Sequence, residues 1–342
     1  MACTAVGDGA RHRVSQSGPV IPAAALRAEA PIEPQALAAG ADNRLYIADP
    51  RRDQILCRLS NGRITVVAGT GHPGESGDAG PARLAEVSHP AGMIVAPNGT
   101  LFFADQGNDR VRAISPTGVI QTVAGGGHTN AHGFVRTGVR ALDAEITPND
   151  VTLGPHGRLY IATGEQVLRL NRKGTLSVVV GDPATWQHQG VFGIGGPAVH
   201  ASADGANGIA FDHRGDLYVT GSNAKTLLVV TPDGTLHEPL GAHSLYPRGD
   251  GGVQTMPDGR VIAMSELGID YVSPRGARKL RSFYPADFLG IHAFSPNGLA
   301  ISRSGAIYLD TYSGNGFSDQ TAIAEINGQR ARLVWEGKPG RE

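Results

Sequence analysis

Leu45-Tyr46-Ile47-Ala48 is the first of six copies of one short apolar pattern, and the spacing of these copies decides the fold. The later copies begin 56, 58, 58, 44 and 46 residues after the preceding one, at Leu101, Leu159, Leu217, Val261 and Ile307. Each copy follows a turn dipeptide such as Asn98-Gly99, which supplies the positive φ that a tight hairpin needs. Six copies at this spacing indicate a repeat architecture.

The rest of each unit also repeats. In the second unit a third strand is predicted at Arg110-Val111-Arg112-Ala113-Ile114, followed by the turn Pro116-Thr117-Gly118 and a fourth strand over residues 119–123. The 48 glycines and 22 prolines among 342 residues argue against a helical protein, because both residues are costly inside helices. Four short strands in each of six units predict an all-β, six-bladed β-propeller of four-stranded antiparallel blades.

The propeller is predicted to span residues 34–342, preceded by an N-terminal strand and a linker of the inter-blade type at residues 1–33. Gly18-Pro19 in this segment matches Gly80-Pro81 between the first two units. Two candidates for the outermost strand of the last blade remain open at this stage. They are a strand of the N-terminal segment, which would close the ring, and Arg332-Leu333-Val334-Trp335.

Several of these motifs resemble NHL repeats. The resemblance is carried by Tyr46-Ile47-Ala48-Asp49, by residues 103–111 with the sequence FADQGNDRV, and by the linker residues 68–71 and 77–82. It covers approximately residues 34–342 and implies a six-bladed β-propeller. It implies no single function, because the family includes binding modules, sensor domains and a few lyases or hydrolases.

Three linkers between units are long, at about residues 69–89, 125–147 and 181–205. We expect them to lie over one face of the ring beside blades 1 to 4, where a cleft is predicted. Functional loops often lie on such rigid scaffolds. This long-linker face is therefore the predicted binding surface for a small molecule, a protein or a peptide.

In four of the six units, a polar residue lies eight positions before the second residue of the turn. The six residues at this position are Gln35, Ala91, Asn149, Asn207, Gly251 and Asn297. Since the first strand of a propeller blade is innermost, we expect them at the mouth of the central channel. Amide oxygens there would suit Ca²⁺ or another ligand. The alternative is that each asparagine bonds to its own turn at the strand entry.

The same positions resemble the metal site of the gluconolactonase, regucalcin-like and paraoxonase propellers. The resemblance implies Ca²⁺ bound through Asn149, Asn207 and Asn297, with Asp150 or Asp250 as candidate base of a lactonase-type hydrolase. The sequence departs from that pattern at the acidic ligands. Gln35 stands where those families have Glu, and Gly251 stands where they have Asp.

A second polar position follows the Leu-Tyr-Ile-Ala strand and includes Asp49 and Asp105. We expect Asp105, Asn108 and Arg110 to form one hydrogen-bonded turn network that stabilises the blade.

Composition limits the partners. The 30 basic and 31 acidic residues give a net charge of −1, which disfavours a nucleic-acid partner. No apolar run is long enough to span a membrane, and the N-terminus lacks an apolar signal sequence. We therefore expect a monomeric binding scaffold in the cytoplasm, or alternatively an extracellular module of a longer protein. The alternative function is the metal-dependent hydrolase.

Overall fold

A computed structural model describes residues 32–40, 44–127, 134–184, 191–202, 205–221, 227–239, 252–265, 268–282, 298–313, 320–327 and 330–337. The N-terminal strand predicted within residues 1–33 lies almost entirely outside this described part. So do Asn297 and Asp250 of the predicted site and Gly251 beside them.

The described residues form six sheets, and each sheet contains four consecutive antiparallel strands in chain order. Blade 1 comprises β1 (Ala36–Ala39), β2 (Leu45–Asp49), β3 (Gln54–Arg58) and β4 (Ile64–Ala68). Blade 2 comprises β5 (Pro90–Val95), β6 (Leu101–Asp105), β7 (Arg110–Ile114) and β8 (Ile120–Gly125). Blade 3 comprises β9 (Asp150–Leu153), β10 (Leu159–Ala162), β11 (Val167–Leu170) and β12 (Leu176–Val180).

The second half of the chain repeats this pattern. Blade 4 comprises β13 (Ala206–Phe211), β14 (Leu217–Gly221), β15 (Leu227–Val230) and β16 (Leu236–His237). Blade 5 comprises β17 (Val253–Thr255), β18 (Val261–Ser265), β19 (Gly268–Ser273) and β20 (Gly276–Ser282). Blade 6 comprises β21 (Leu299–Ile301), β22 (Ile307–Ser313), β23 (Gln320–Asn327) and β24 (Arg330–Gly337). The predicted six-bladed β-propeller is confirmed, and each copy of the repeated pattern begins the second strand of a blade.

The ring closes through its innermost strands. Each first strand contacts the first strand of the next blade, and β21 of blade 6 contacts β1 of blade 1. Among the described residues, the outermost strand of blade 6 is β24, which pairs with β23. The C-terminal candidate is therefore the fourth strand of this blade, and closure of the ring by the N-terminal candidate stays a prediction because that strand lies outside the described residues.

The core is divided into six clusters, one between each pair of neighbouring blades. Tyr46 and Phe103 belong to the cluster between blades 1 and 2, and Leu37 and Tyr308 belong to the cluster between blades 1 and 6. The second strand of a blade packs against a neighbouring blade on each of its two faces, so all five residues of β2 are buried. The apolar side chains of Leu-Tyr-Ile-Ala therefore provide core for two interfaces at once.

The long linkers follow one path, which differs from the expected one. Before blade 2, Ala79 N–H donates to Ile120 O (2.8 Å), Ile120 N–H to Gly80 O (3.0 Å), and Ala82 N–H to Gly118 O (2.8 Å). Instead of lying over one face, this linker runs along the outer edge of blade 2. The outermost strand has unpaired backbone groups, and the linker satisfies them.

The linkers before blades 3 and 4 repeat these three bonds. Gly138 and Ala141 donate to the turn and outermost strand of blade 3, and Gly195 and Ala198 make the same bonds on blade 4. A single 3-10 turn follows each pairing, at Ala82–Leu84, Ala141–Asp143 and Ala198–His200. We term residues 76–85, 135–144 and 192–201 the linker rim.

Candidate functional site

The structure brings together two of the predicted amides at the channel mouth where the innermost strands begin. Asn149 Nδ2 donates to Asn207 Oδ1 (2.9 Å) and to Ala206 O (3.2 Å), so the bond joins blade 3 to blade 4. Gln106 Nε2 of blade 2 donates to Asn149 Oδ1 (2.8 Å). The amides thus bond across blades rather than to their own turns. Gln106 lies outside the repeated position, so the sequence pattern did not indicate it.

Asp150 joins the same two blades from a buried position. Its Oδ2 accepts from Ile209 N–H (3.0 Å), and its Oδ1 accepts from Val151 N–H (2.8 Å). The side chain is 1% exposed. A Cβ added at Gly92 of blade 2 would collide with this carboxylate, so the close approach of the innermost strands requires glycine there. This geometry is that of a structural bridge, and the role of base proposed for Asp150 stays a prediction.

Gln35 is half-buried at the start of β1, and its backbone N–H donates to Ala48 O (3.0 Å). The residues present at this mouth fit Ca²⁺ only if bonds are exchanged, because Asn149 Oδ1 and Asn207 Oδ1 each already accept from another amide. Calcium binding through Asn149, Asn207 and Asn297 therefore stays a prediction. Nowhere in the described residues do three or more His, Cys, Asp or Glu side chains group together as a metal site would require.

The opposite end of the channel contains a cavity of about 620 Å³. The last residue of each innermost strand lines it, so all six blades contribute. These residues are Ala39, Val95, Leu153, Phe211, Thr255 and Ile301. The sequence placed the binding position at strand starts, whereas the cavity lies at strand ends. Sequence reasoning missed it because these residues are small or apolar and resemble ordinary core.

A charged network fixes the linker rim to blade 2. Arg112 on β7 is fully buried, and its guanidinium donates to Asp78 Oδ1 (2.7 Å), Asp105 Oδ2 (3.4 Å), Glu86 O (2.7 Å) and Ser76 O (3.1 Å). Asp78 Oδ2 in turn accepts from Thr122 N–H (3.0 Å) on the outermost strand. One buried arginine thus ties a linker, an edge strand and the centre of the blade together.

The turn network predicted around Asp105 is confirmed. Asn108 Nδ2 donates to Asp105 Oδ2 (2.8 Å), and Arg110 Nε donates to Asn108 O (3.1 Å). Arg112 was not predicted from the sequence, although comparison of the third strands of the blades offers a signal for it. It pairs with Phe103 at the position where blades 1, 3 and 4 have the buried leucines Leu56, Leu168 and Leu228.

Burial changes the acidity of the two aspartates that end second strands. Burial raises the pKa of Asp105 to about 6. Hydrogen bonds from Ser88 N–H and Asn108 and the charge of Arg112 lower this pKa, but by less than burial raises it. Burial likewise raises the pKa of Asp49 to about 7, although the charge of Arg52 acts to lower it. Both carboxyls are enclosed by linker and strand backbone, and removal from water disfavours their charged forms.

The exposed apolar side chains lie on or beside the linkers. Among the described residues, the large hydrophobic side chains that are exposed are Leu84, Val119, Leu142, Phe192, Ile194 and Val199. Five belong to the linker rim, and Val119 forms a bridge with Pro81 of the same rim. Three of them, Phe192, Ile194 and Val199, lie within one linker on blade 4 and are 54%, 47% and 41% exposed.

Comparison with known proteins gives the family. A family model for the teneurin NHL domain matches residues 58–245 of this chain. Teneurin-3 of Mus musculus is 26% identical over 317 residues, which cover 78% of this chain and 12% of that protein. The chain thus spans about 12% of the length of the curated relatives it matches first.

Solved structures share the fold at low sequence identity. Virginiamycin B lyase from Staphylococcus aureus superposes with a TM-score of 0.54 and 13% identity, over 90% of this chain and 85% of that one. A gluconolactonase from Xanthomonas campestris gives a TM-score of 0.51 and 14% identity, over 96% of this chain and 90% of that one. These similarities concern the propeller alone. Among the helices of the described part, none has the length and hydropathy that a membrane crossing requires.

Proposed function

The chain belongs to the teneurin NHL-domain family, and we propose that it is a protein-interaction module whose contact surface is the linker rim of blades 2 to 4. The observation that carries the proposal is the location of the exposed apolar side chains on this rim. Isolated exposed hydrophobic residues are common on proteins, whereas residues that recur on one structural element indicate a contact surface.

Blade 4 offers the strongest part of this surface. Phe192 and Ile194 precede the backbone pairing, and Val199 follows it within the 3-10 turn. Ser202 N–H donates to Phe192 O (3.2 Å), so the two ends of this rim segment lie side by side. An aromatic side chain flanked by aliphatic ones is typical of the centre of a protein interface.

The rim also has the rigidity that an interface needs. Its backbone is bonded to the outermost strand of each blade, so little conformational freedom is lost when a partner binds. The chain spans about 12% of its relatives, so the partner surface can belong to another part of a longer polypeptide, to a second copy or to a different protein. All three are protein partners and use the same rim.

The test is site-specific photo-crosslinking in the full-length protein in its native cells. A photoreactive amino acid is placed at Ile194, and the matched control is Asp258, which lies in an exposed turn of blade 5. We expect a discrete crosslinked protein band from position 194 and none from position 258. The double substitution Phe192→Ser and Val199→Ser should remove that band while the thermal unfolding midpoint shifts by no more than about 2 °C.

Two results would refute the proposal. One is equal crosslinking from positions 194 and 258, which would indicate random collision. The other is an unchanged band in the Phe192→Ser, Val199→Ser protein, which would mean that these apolar side chains contribute nothing to binding.

A further inference from the structure

We propose that the cavity at the strand-end mouth of the channel binds an amphipathic organic anion, namely a monocarboxylate with a compact aromatic or aliphatic body. The site is separate from the linker rim and does not depend on the function proposed for that rim. Its volume of about 620 Å³ lies in the range of small-molecule sites.

Apolar side chains form part of the cavity wall, together with polar groups. Val95, Leu153 and Ile301 are only half-buried, because their side chains end the innermost strands and border an open space. Phe211 is 8% exposed, and its ring packs edge-on against Tyr160 at 4.6 Å between centroids. Covering these side chains with the apolar body of a ligand would be favourable, since they are partly in water without it.

The rim of the cavity carries two arginines and one aspartate, which leaves an excess of one positive charge. Arg214 and Arg303 follow the innermost strands of blades 4 and 6, and both are exposed while lining the cavity. Among the lining residues described, the one acidic side chain is Asp212. Its Oδ1 is already engaged by the backbone N–H groups of Arg214 (2.8 Å) and Asp216 (3.0 Å) in its own turn.

Arg303 is the best placed to bind an anion. Burial and the neighbouring Asp212 raise the pKa of Asp216, and the charge of Arg214 opposes this shift, so part of the Arg214 charge is already compensated. Arg303 has no acidic partner within the described residues. A guanidinium presents two parallel N–H groups that match a carboxylate.

These two properties define the ligand class together. A neutral apolar molecule would leave the arginines unused, and a small inorganic anion would leave the apolar wall in water. A monocarboxylate with a hydrophobic body satisfies both, with its charge at the arginines and its body against Leu153, Phe211 and Ile301.

The experiment uses isothermal calorimetry on the full chain with 2-naphthoate and its neutral analogue 2-naphthalenemethanol as probes. We expect 2-naphthoate to bind about tenfold more tightly than the alcohol, and Arg303→Gln to remove most of that difference while leaving alcohol binding unchanged. The matched control is Arg83→Gln, which neutralises an exposed arginine on the linker rim and should leave both affinities unchanged.

Thermal unfolding of each variant verifies that the fold is retained. The proposal is overturned if 2-naphthoate shows no saturable heat up to about 5 mM, which is weaker than typical ligand sites. It is equally overturned if Arg303→Gln and Arg83→Gln weaken naphthoate binding to the same extent, because the charge at the cavity would then be irrelevant.

Discussion

The linkers of blades 2 and 4 follow the same backbone path but are held in different ways. Both make three hydrogen bonds with the outermost strand of their blade. On blade 2, Asp78 adds side-chain bonds to Thr122 N–H and to the buried Arg112. At the position of Asp78, blade 4 has Ile194, which is 47% exposed.

This difference separates two tasks of one structural element. Backbone pairing alone is sufficient to guide the linker along the blade edge, since blade 4 makes the same backbone hydrogen bonds without an equivalent of the Asp78–Arg112 pair. The charged anchor on blade 2 holds Asp78 against the blade, whereas Leu84 of the same linker stays exposed. At the position of Asp78, the linker of blade 4 instead directs the apolar side chain of Ile194 outward, where a partner can contact it.

The largest effect is expected from Arg112→Leu, which gives blade 2 the residue present in blades 1, 3 and 4. The substitution leaves the buried Asp105 carboxyl without its cationic partner. We expect a loss of about 3–5 kcal/mol in the free energy of unfolding, measured by urea denaturation. The exposed pair Arg140–Asp143 supplies the control, and Arg140→Leu should cost less than about 1 kcal/mol.

A loss below about 1 kcal/mol for Arg112→Leu would contradict the anchor. It would show that blade 2, like blade 4, depends on backbone pairing alone. Adding Asp105→Asn to Arg112→Leu should restore part of the lost stability, because the unpaired buried carboxyl is then removed.

A change in pH is expected to have an effect of intermediate size on the free energy of unfolding. Because the folded protein raises the pKa of Asp105 from 3.8 to about 6, the protonated form is favoured in the folded state. The resulting stabilisation is fully present below about pH 4 and is lost as the pH rises through 6, with a maximum of roughly 3 kcal/mol. The equivalent residue in blade 4 is Gly221, which does not titrate.

Asp105→Asn should therefore flatten the dependence of unfolding free energy on pH between about 4 and 7. Urea denaturation at several pH values would measure this change, with Asp143→Asn on an exposed side chain as the control. Asp49 contributes a separate loss of stability extending to about pH 7. If the unfolding free energy of the Asp105→Asn protein depends on pH as it does in the wild type, this buried carboxyl does not control the pH dependence.

The smallest effect is expected from Ile194→Thr, which introduces the residue that blade 3 carries at this position. There, Thr137 Oγ1 accepts from Val178 N–H (3.0 Å). We expect the free energy of unfolding to change by no more than about 0.5 kcal/mol, because Ile194 is exposed. Thermal unfolding would measure it, and a destabilised variant would mean that Ile194 contributes packing rather than a replaceable exposed surface.

Much of the fold was predictable because the decisive signals are local. Leu101-Phe102-Phe103-Ala104 and its turn at Asn98-Gly99 specify a hairpin through residues adjacent in sequence. The asparagines at strand starts were predicted to meet, and Asn149 and Asn207 do so. Their bonding partners were not predictable, because Gln106 comes from another blade and 43 residues away.

The sequence by itself determined the number of blades, the order of strands and the place of each tight turn, because each depends on residues close together in the chain. The tertiary structure alone decided where the linkers run, that Arg112 is buried, and that the cavity lies at the strand ends. These features depend on which backbone groups and side chains meet across blades, and such distances are fixed only when six sheets pack into one ring.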